Sequence, residues 1–331
     1  FNSTQTPFQD ELSDLTTTDE GDIKLVSLTG TILVFEGDDN PDPDGDGVGV
    51  GVSAAGTGDI LLRAYADIEL HADVVSEFGH ITLRAGDDIT LFENSDIRTA
   101  SPGTIYLFAG NNDVDAVFGI DISAQGASIT AVDSDIRLVA DGEGDILLGI
   151  VDAGDGDVSL IAERDILDRS ASSLLLLDAN AGDSQITVVD ASGFSVGDRI
   201  LLQDDAFRSE AVSEEITAIA GNAITLSSPL SRGFDASDPA SLVTTLNVAS
   251  AGLLMIADAV VGNDGNLGGP PDGAVLQQGI IGEPDTLNGT PFLNRFSIDT
   301  AVTTLAASSA DGIYVSEFAD VAVNTVTVAV E

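Results

Sequence analysis

The chain has 331 residues, with 11 lysines and arginines against 56 aspartates and glutamates, so its formal net charge is −45. A charge this negative argues against nucleic acid and anionic membrane surfaces as partners, because both require basic patches. The hydrophobic content of 43% is high enough for a substantial core, which argues against a disordered acidic chain. The charge fits a salty or calcium-containing exterior, or simply the solubility of a long exposed surface.

The chain contains no cysteine, which excludes disulfides and thiol chemistry. This does not fix the compartment, because a large extracellular protein with a sufficient core can fold without disulfides. There is no apolar run of about 18 residues, so we expect no transmembrane helix and no membrane insertion. The chain begins Phe1-Asn2-Ser3 without an initiator methionine or a leader. We therefore expect a processed mature protein or a piece of a longer one.

The first predicted elements in chain order are an N-terminal arm, a rod-shaped β-helix and a loop within that β-helix. Residues 1–20 are polar and aperiodic, and they are predicted to form an N-terminal arm or linker. A parallel β-helix is predicted over residues 21–172, starting with GDIKLVSLTGTILVFE at 21–36. Residues 37–57 are rich in glycine and aspartate and contain proline. Because glycine and proline break the ladder of a regular strand, this stretch is interpreted as an acidic loop.

The acidic loop contains one candidate metal site. Asp42, Asp44 and Asp46, followed by Gly47, match the first half of a calcium loop, in which alternate carboxylates converge on a hard cation. The second half is missing, because Ser53 stands where a bidentate glutamate belongs. Both a calcium site and a flexible acidic surface loop stay open. No cofactor is expected to be required.

A repeated pair of strand phrases is the most informative pattern. GDILLRA at 58–64 returns as GHITLRA at 79–85, and ADIEL at 66–70 returns as DDITL at 87–91, each after 21 residues. Two phrases that move together at one period are typical of a solenoid, in which each repeat supplies one coil.

Within each phrase, apolar and polar residues alternate. This alternation predicts that Ile60 and Leu62 point inward and that Arg63 points outward. Later steps are less regular, with 24 residues from Ile81 to Ile105 and from Ile105 to Ile129, and 20 from Ile146 to Ile166. Corners that absorb insertions would explain this variation.

The period disappears at about residue 173. Residues 173–242 are predicted to form an inserted small antiparallel β domain, with a turn at Gly221-Asn222 before a strand. The solenoid pattern returns at 243 and continues to 331. Residues 324–330 read as one more strand, and no capping helix follows, so the β-helix is predicted to end uncapped.

The strand phrases at 58–91 resemble the repeats of filamentous-haemagglutinin-like proteins, which are very large secreted bacterial adhesins. The segment RFSIDTAVTTLAASSADGIYVSEFADVAV near the C-terminus is similar to a recurrent segment of the same proteins. The resemblance covers roughly 21–170 and 243–331. It implies a right-handed parallel β-helix, export to the cell surface and a structural or adhesive role. Family members are much longer, so this chain would be a fragment, a processed subunit or a short relative.

The remaining candidate residues give weaker signals. A zinc site at His71 and His80 would need carboxylate ligands, because the chain has no cysteine and no third histidine, and the two histidines are interpreted as surface or corner residues. Arg63 and Arg84 occupy equivalent positions one coil apart, where they would balance local acids or bind an acidic glycan. The acids at 152, 155 and 157 form a second, weaker calcium candidate.

The expected fold class is all-β, a right-handed parallel β-helix interrupted by a small antiparallel β module. We expect no enzyme and no catalytic residues, but a structural subunit of an extracellular filament or surface adhesin that assembles head-to-tail with itself. Uncapped ends or strand exchange would form the joint. Two alternatives stay open: a carbohydrate-active enzyme on acidic polysaccharide, and an adhesin whose 173–242 module binds glycans of a host or neighbouring cell. The absence of Trp and the presence of only three Tyr argue against a saccharide cleft.

Overall fold

A computed structural model describes residues 14–37, 46–110, 119–142, 144–203, 212–237, 241–257, 280–282, 297–310, 312–318 and 320–330. These residues form strands, turns and bends, with no helix among them. The strands before the inserted module are β1 (Leu15–Thr17), β2 (Ile23–Val26), β3 (Ile32–Phe35), β4 (Val50–Ala54), β5 (Ile60–Arg63), β6 (Ile68–His71), β7 (Asp73–Ser76), β8 (Ile81–Ala85), β9 (Ile89–Leu91), β10 (Asp96–Ala100), β11 (Ile105–Ala109), β12 (Ile120–Asp121), β13 (Ser128–Val132), β14 (Ile136–Ala140), β15 (Ile146–Leu148), β16 (Ile150–Asp152), β17 (Asp157–Ala162) and β18 (Ile166–Asp168).

The module and the final part of the chain contribute twelve more strands. They are β19 (Ser172–Leu174), β20 (Gln185–Thr187), β21 (Arg199–Gln203), β22 (Val212–Ala220), β23 (Ala223–Leu226), β24 (Leu242–Thr245), β25 (Val248–Ala257), β26 (Ile280–Ile281), β27 (Ile298–Ser309), β28 (Gly312–Ile313), β29 (Val315–Glu317) and β30 (Ala322–Val323).

The strands stack in parallel as a coil with three faces. Face 1 contains β1, β4, β7, β10, β13 and β16, and face 2 contains β2, β5, β8, β11, β14 and β17. Face 3 is the eight-stranded sheet that begins with β3 and ends with β28. The long strands β25 and β27 run through both face 1 and face 2. Since face 3 takes one strand from each coil, the described residues form eight coils, and β29 and β30 begin a ninth level.

One inward-facing ladder on face 2 holds its register through the whole stack. Each member pairs with the next in the order Ile23, Ile60, Ile81, Ile105, Ile136, Val158, Leu253, Leu305 and Val323. Seven of these side chains belong to one continuous apolar core, which reaches from Ile23 to Val302. The predicted 21-residue steps from Ile60 and Ile68 are confirmed by direct pairing, as are the inward side chains of Ile60 and Leu62.

One predicted step is wrong. Ile105 pairs with Ile136 on face 2, and Ile129 pairs with Ile97 on face 1, so the 24 residues from Ile105 to Ile129 do not separate equivalent positions. Ile105 and Ile129 are separated by about one coil length, and every face presents isoleucine at its inward positions. The two residues were therefore assigned to one ladder although they lie on different faces.

Two predicted irregular regions each contain a strand. Residues 50–54 of the predicted acidic loop form β4, which pairs with β1 and β7. The glycine at 51 suits this strand, because a side chain there would meet Val34 Cγ1 at 2.6 Å. The predicted arm at 1–20 includes β1, which is the first strand of face 1. Residues 1–13 and 38–45 lie outside the described residues.

The inserted module is a six-stranded antiparallel sheet in the order β19-β24-β21-β22-β23-β20. Its strands lie between Ser172 and Thr245, and it has an apolar core of its own around Phe194, Ile200 and Ile216. The predicted fold class, a parallel β-helix interrupted by a small antiparallel β module, is thus confirmed. The chain re-enters the stack where β25 pairs with β16 and β17.

The predicted terminal strand at 324–330 is wrong. The last strand is β30, at Ala322–Val323, and the residues after it follow the side of the rod. Val326 is buried beside Gly252, and the backbone N–H of Ala329 donates to Asp135 Oδ2 at 2.8 Å. These contacts belong to earlier coils, so the segment returns along the stack and leaves Val323 uncovered.

Candidate functional site

The candidate calcium loop lies only partly within the described residues. Asp42 and Asp44 are outside them. Asp46 Oδ1 accepts the backbone N–H of Val48 at 2.9 Å, and the carbonyl oxygen of Asp46 accepts the side-chain amide of Asn94 at 3.0 Å. Within the described ranges, no three acidic, histidine or cysteine side chains form a group that could hold a metal ion. Calcium binding by this loop stays a prediction.

The weaker calcium candidate is not assembled as a metal site. Asp152 Oδ1 accepts the backbone N–H of Gly154 at 2.9 Å, and the N–H of Asp157 donates to Asp135 Oδ1 at 2.9 Å. Burial raises the pKa of Asp157, and the charge of Asp135 adds to this rise. Asp155 is exposed and donates its own N–H to Asp133. These acids therefore serve the turns between coils.

A ladder of side chains explains why an acid often precedes each strand phrase. Asp22 Oδ1 accepts the N–H of Asp59 at 3.0 Å, and Asp59 Oδ1 accepts the N–H of His80 at 2.8 Å. His80 Nδ1 in turn accepts the N–H of Thr104 at 3.1 Å. Each side chain thus satisfies a backbone donor of the following coil, which would otherwise lack a partner at the corner. The sequence signal was available, because each of these residues stands directly before an isoleucine that begins a strand.

The glycines before Asp59 and His80 are required by close backbone contact. A Cβ atom on Gly79 would lie 2.1 Å from the carbonyl oxygen of Gly58, and one on Gly58 would lie 2.4 Å from that of Gly21. Real Cβ atoms do not approach a carbonyl this closely. The Gly58-Asp59 and Gly79-His80 pairs therefore form the corners of the β-helix. The glycine allows close contact between coils, and the next side chain accepts a hydrogen bond from the following coil.

The two histidines lie in different environments. His71 stacks between Phe35 and Phe92 on the outside of face 3, with ring centroids 4.6 and 3.8 Å away. Its Nε2 atom lies 3.5 Å from Glu69 Oε2. His80 belongs to the ladder of side chains, with Asp22 and Asp59, that accept backbone N–H groups at the corners. The two histidines therefore do not meet in a common metal site within the described part of the chain.

A buried polar cluster lies where the module meets the β-helix, and Gln203 Nε2 of the module donates to Asp299 Oδ1 there at 3.5 Å. Asn247 Nδ2 donates to Asp168 Oδ1 at 2.9 Å, and Asn247 Oδ1 accepts the backbone N–H of Asp299 at 2.8 Å. Burial raises the pKa of Asp299 to about 8, and the neighbouring carboxylate of Asp168 adds to that rise. Burial also raises the pKa of Asp168 to about 6. Sequence patterns gave no sign of this cluster, because its members come from three separate stretches of the chain.

A cleft of about 740 Å³ lies between the module and the outside of face 1. Arg98 crosses its floor and pairs with Asp73 at 2.6 Å and with Asp96 at 3.4 Å. Asp96 Oδ1 also accepts the hydroxyl of Ser128 at 2.7 Å. Burial raises the pKa of Asp198 to about 6, and its carboxylate accepts the N–H of Ser195. These contacts order the two walls of the cleft, and Gln125 Nε2 of the β-helix donates to the carbonyl oxygen of Phe194 in the module at 3.0 Å.

The two ends of the stack present the main candidate interaction surface. Within the described residues, β1, β2 and β3 have no partner strand on their outer edges, and neither do β28, β29 and β30. Val323, the last member of the face 2 ladder, is 85% exposed, and Ile313 is 47% exposed on face 3. Unpaired strand edges with exposed apolar side chains are ready templates for a further strand.

No family model matches the chain, and comparisons with curated proteins and with solved structures find no significant match. The resemblance to filamentous-haemagglutinin-like adhesins therefore stays a prediction. The described residues contain no helix long and apolar enough to cross a membrane.

Proposed function

We propose that the protein is a non-enzymatic structural subunit of an extracellular filament or surface adhesin, in which copies stack head-to-tail through the ends of the β-helix. The observation that carries the proposal is the face 2 ladder, which keeps one register from Ile23 to Val323. The outer edge of β30 in one copy could therefore pair with β2 of the next copy, as each face 2 strand pairs with the strand of the coil before it. The extracellular location and the adhesin class follow from the sequence resemblance.

Within the described residues, face 3 ends one level before face 2. The inward ladder of face 3 begins at Ile32 and reaches Ile313 on β28, whereas β30 places Val323 on the next level of face 2. Stacking the next copy with its Ile23 on Val323 therefore leaves one strand level of face 3 open between Ile313 and Ile32 of that copy. The face 2 contact covers apolar side chains, which contributes about 25 cal/mol for every Å² removed from water. Because all strands stay parallel, the contact is heterologous and does not close, so it generates a fibre.

Face 1 forms the least apolar part of the joint. Its ladder ends at Glu317, whose carboxylate accepts the hydroxyl of Thr300 at 2.6 Å and the N–H of Val302 at 3.1 Å. The Glu317 side chain is therefore engaged with the coil before it. We expect face 2 to supply most of the binding energy.

The test uses an exposed residue, so that the fold is preserved. Val323→Asp places a charge at the joint, whereas Val189→Asp places the same charge on the module, where Val189 is 54% exposed. Wild-type protein and Val189→Asp should form end-to-end oligomers or fibres in sedimentation velocity and negative-stain electron microscopy. Val323→Asp should remain as single rods with an unchanged circular dichroism spectrum. Single rods of the wild-type protein would contradict the proposal, as would fibres of Val323→Asp.

A further inference from the structure

A groove follows the edge of the rod where face 2 turns toward face 3. We call it the corner groove. It has a volume of about 440 Å³, and its lining includes Val26, Arg63, Tyr65, Arg84, Phe108 and Asp141. These residues come from the first five coils, so at a strand spacing of about 4.8 Å the groove extends for roughly 19 Å. A long, open shape of this kind suits an extended chain better than a compact small molecule.

The two arginines of the corner groove are placed unusually. Arg63 and Arg84 lie directly opposite each other on β5 and β8, an arrangement in which like charges repel. Within the described residues, neither guanidinium lies within 4.0 Å of a carboxylate, whereas Arg98 pairs with Asp73 and Arg164 pairs with Asp145. In a chain with 56 acids and 11 basic residues, two adjacent arginines without a carboxylate partner indicate a place for an external anion.

Neighbouring side chains fix the geometry of the two arginines in the corner groove. The Arg84 guanidinium lies 5.0 Å from the centroid of the Phe108 ring, and this cation–π contact holds its position while leaving its N–H groups available. Tyr65 is 58% exposed beside Arg63 in the same lining. Asp141 is the acid of this lining, and its Oδ1 accepts the N–H of Gly142 at 3.0 Å.

We propose that the corner groove binds a carboxylate-bearing polysaccharide. The planar forks of Arg63 and Arg84 match carboxylates in bidentate geometry. The exposed ring of Tyr65 offers an amphipathic surface on which a sugar ring can lie. Asp141 can accept hydrogen bonds from sugar hydroxyls. The groove lies on the side of the rod, so this site does not depend on assembly through the ends.

The negative field of the protein selects the kind of anion. A net charge of −45 repels densely charged polymers such as nucleic acids, which need many basic contacts along their length. Two arginines and one carboxylate fit a ligand whose charges are sparse and separated by neutral hydroxyl-bearing units. A uronic-acid polysaccharide has this chemistry, which favours it over a nucleic acid.

The test measures the binding of full-length protein to short oligogalacturonates by calorimetry, with a neutral oligosaccharide and a single-stranded DNA oligonucleotide as comparison ligands. Arg63→Gln/Arg84→Gln should weaken oligogalacturonate binding at least about tenfold, which corresponds to about 1.4 kcal/mol. The control Arg169→Gln/Arg199→Gln removes two exposed positive charges elsewhere and should bind like the wild type. Tyr65→Ala should weaken binding of the same ligand.

Several results would overturn the proposal. These are no binding of oligogalacturonates by wild-type protein, equal losses in the two double variants, or equal affinity for the neutral oligosaccharide. Preferred binding of the DNA oligonucleotide would assign the groove to a different ligand. Sedimentation of the same samples separates the two proposals, because Arg63→Gln/Arg84→Gln should assemble as the wild type does whatever its affinity for sugar.

Discussion

Asp59 Oδ1 accepts the backbone N–H of His80 across 2.8 Å, and this bond joins the corner of one coil to the corner of the next. The same relation recurs between Asp135 and Asp157, where the distance is 2.9 Å. Part of the acidity of the chain therefore has a structural use at the corners, where backbone donors need acceptors. This use distinguishes the corner acids from candidate catalytic or metal-binding carboxylates.

Asp59→Ala should lower the free energy of unfolding by about 1 kcal/mol, because it leaves the His80 N–H to water at a partly exposed corner. Asp59→Asn keeps an oxygen acceptor and should lose less than half as much. Equilibrium unfolding in urea, followed by circular dichroism, gives both values. Equal losses in the two variants would show that the charge, and not the acceptor, matters at this position.

Gly79→Ala should lower the free energy of unfolding by about 2–3 kcal/mol, because its Cβ atom would meet the carbonyl oxygen of Gly58 at 2.1 Å. Gly30→Ala is the matched control, since the nearest atom to its Cβ is the Ser27 hydroxyl at 3.8 Å. The control should change the free energy of unfolding by less than about 0.5 kcal/mol. Similar urea midpoints for the two variants would refute the close-contact explanation of the corner glycines.

Asp299 should make the protein less stable as the pH rises. Its folded pKa is raised to about 8, whereas an unfolded aspartate titrates near 3.9. The folded state therefore keeps a proton that the unfolded state releases, so this stabilisation is complete below about pH 4 and is lost as the pH rises toward 8. The slope is at most about 1.4 kcal/mol per pH unit for one proton. Asp168, whose pKa is about 6, adds to the same trend.

Asp299→Asn removes this proton linkage. The variant should match the wild type in stability near pH 4 and exceed it near pH 8, with a smaller pH slope between them. Asp155→Asn, which alters an exposed acid, should keep the wild-type slope. Urea unfolding at pH 4, 6 and 8 measures the slopes, and an unchanged slope for Asp299→Asn would show that Asp299 is ionised in the folded protein.

Assembly should respond to salt. Two copies that meet end to end each carry a net charge of −45, and their repulsion extends over a Debye length that shrinks from about 30 Å at 0.01 M salt to about 8 Å at 0.15 M. Sedimentation velocity across this range should show longer oligomers at the higher salt concentration. Oligomers that dissociate as salt is added would indicate a joint held by ion pairs, and not by apolar strand ends.

Regular local patterns made the general fold predictable from sequence. The paired 21-residue steps predicted that coils stack on one another, and alternation placed Ile60 and Leu62 inside. The strand β4 was missed because its glycine at 51 reads as a breaker, although it is needed for close packing against Val34. Ile129 was assigned to the wrong ladder because inward isoleucines on different faces are indistinguishable without the three-dimensional register.

Features that depend on distant parts of the chain could not be predicted. Asp168 and Asp299 meet only because the module returns the chain to the stack, and nothing beside either residue signals burial. The backward course of 324–330 depends on a hydrogen bond from Ala329 to Asp135, which is 194 residues earlier. The repeat predicts that Arg63 and Arg84 occupy equivalent positions, but only the structure shows that no carboxylate of the described residues pairs with them.

The most direct test of head-to-tail stacking is a disulfide between copies. The chain contains no cysteine, so Val323→Cys in one preparation and Ile23→Cys in another each introduce one thiol. Opposed residues on adjacent strands are about 4.8 Å apart, which is within disulfide range. Mild oxidation of the mixture should give a covalent dimer on a non-reducing gel, while each variant alone, or Ile23→Cys mixed with Val189→Cys, should not. Absence of the dimer from the mixture, or its formation by Val323→Cys alone, would contradict the account.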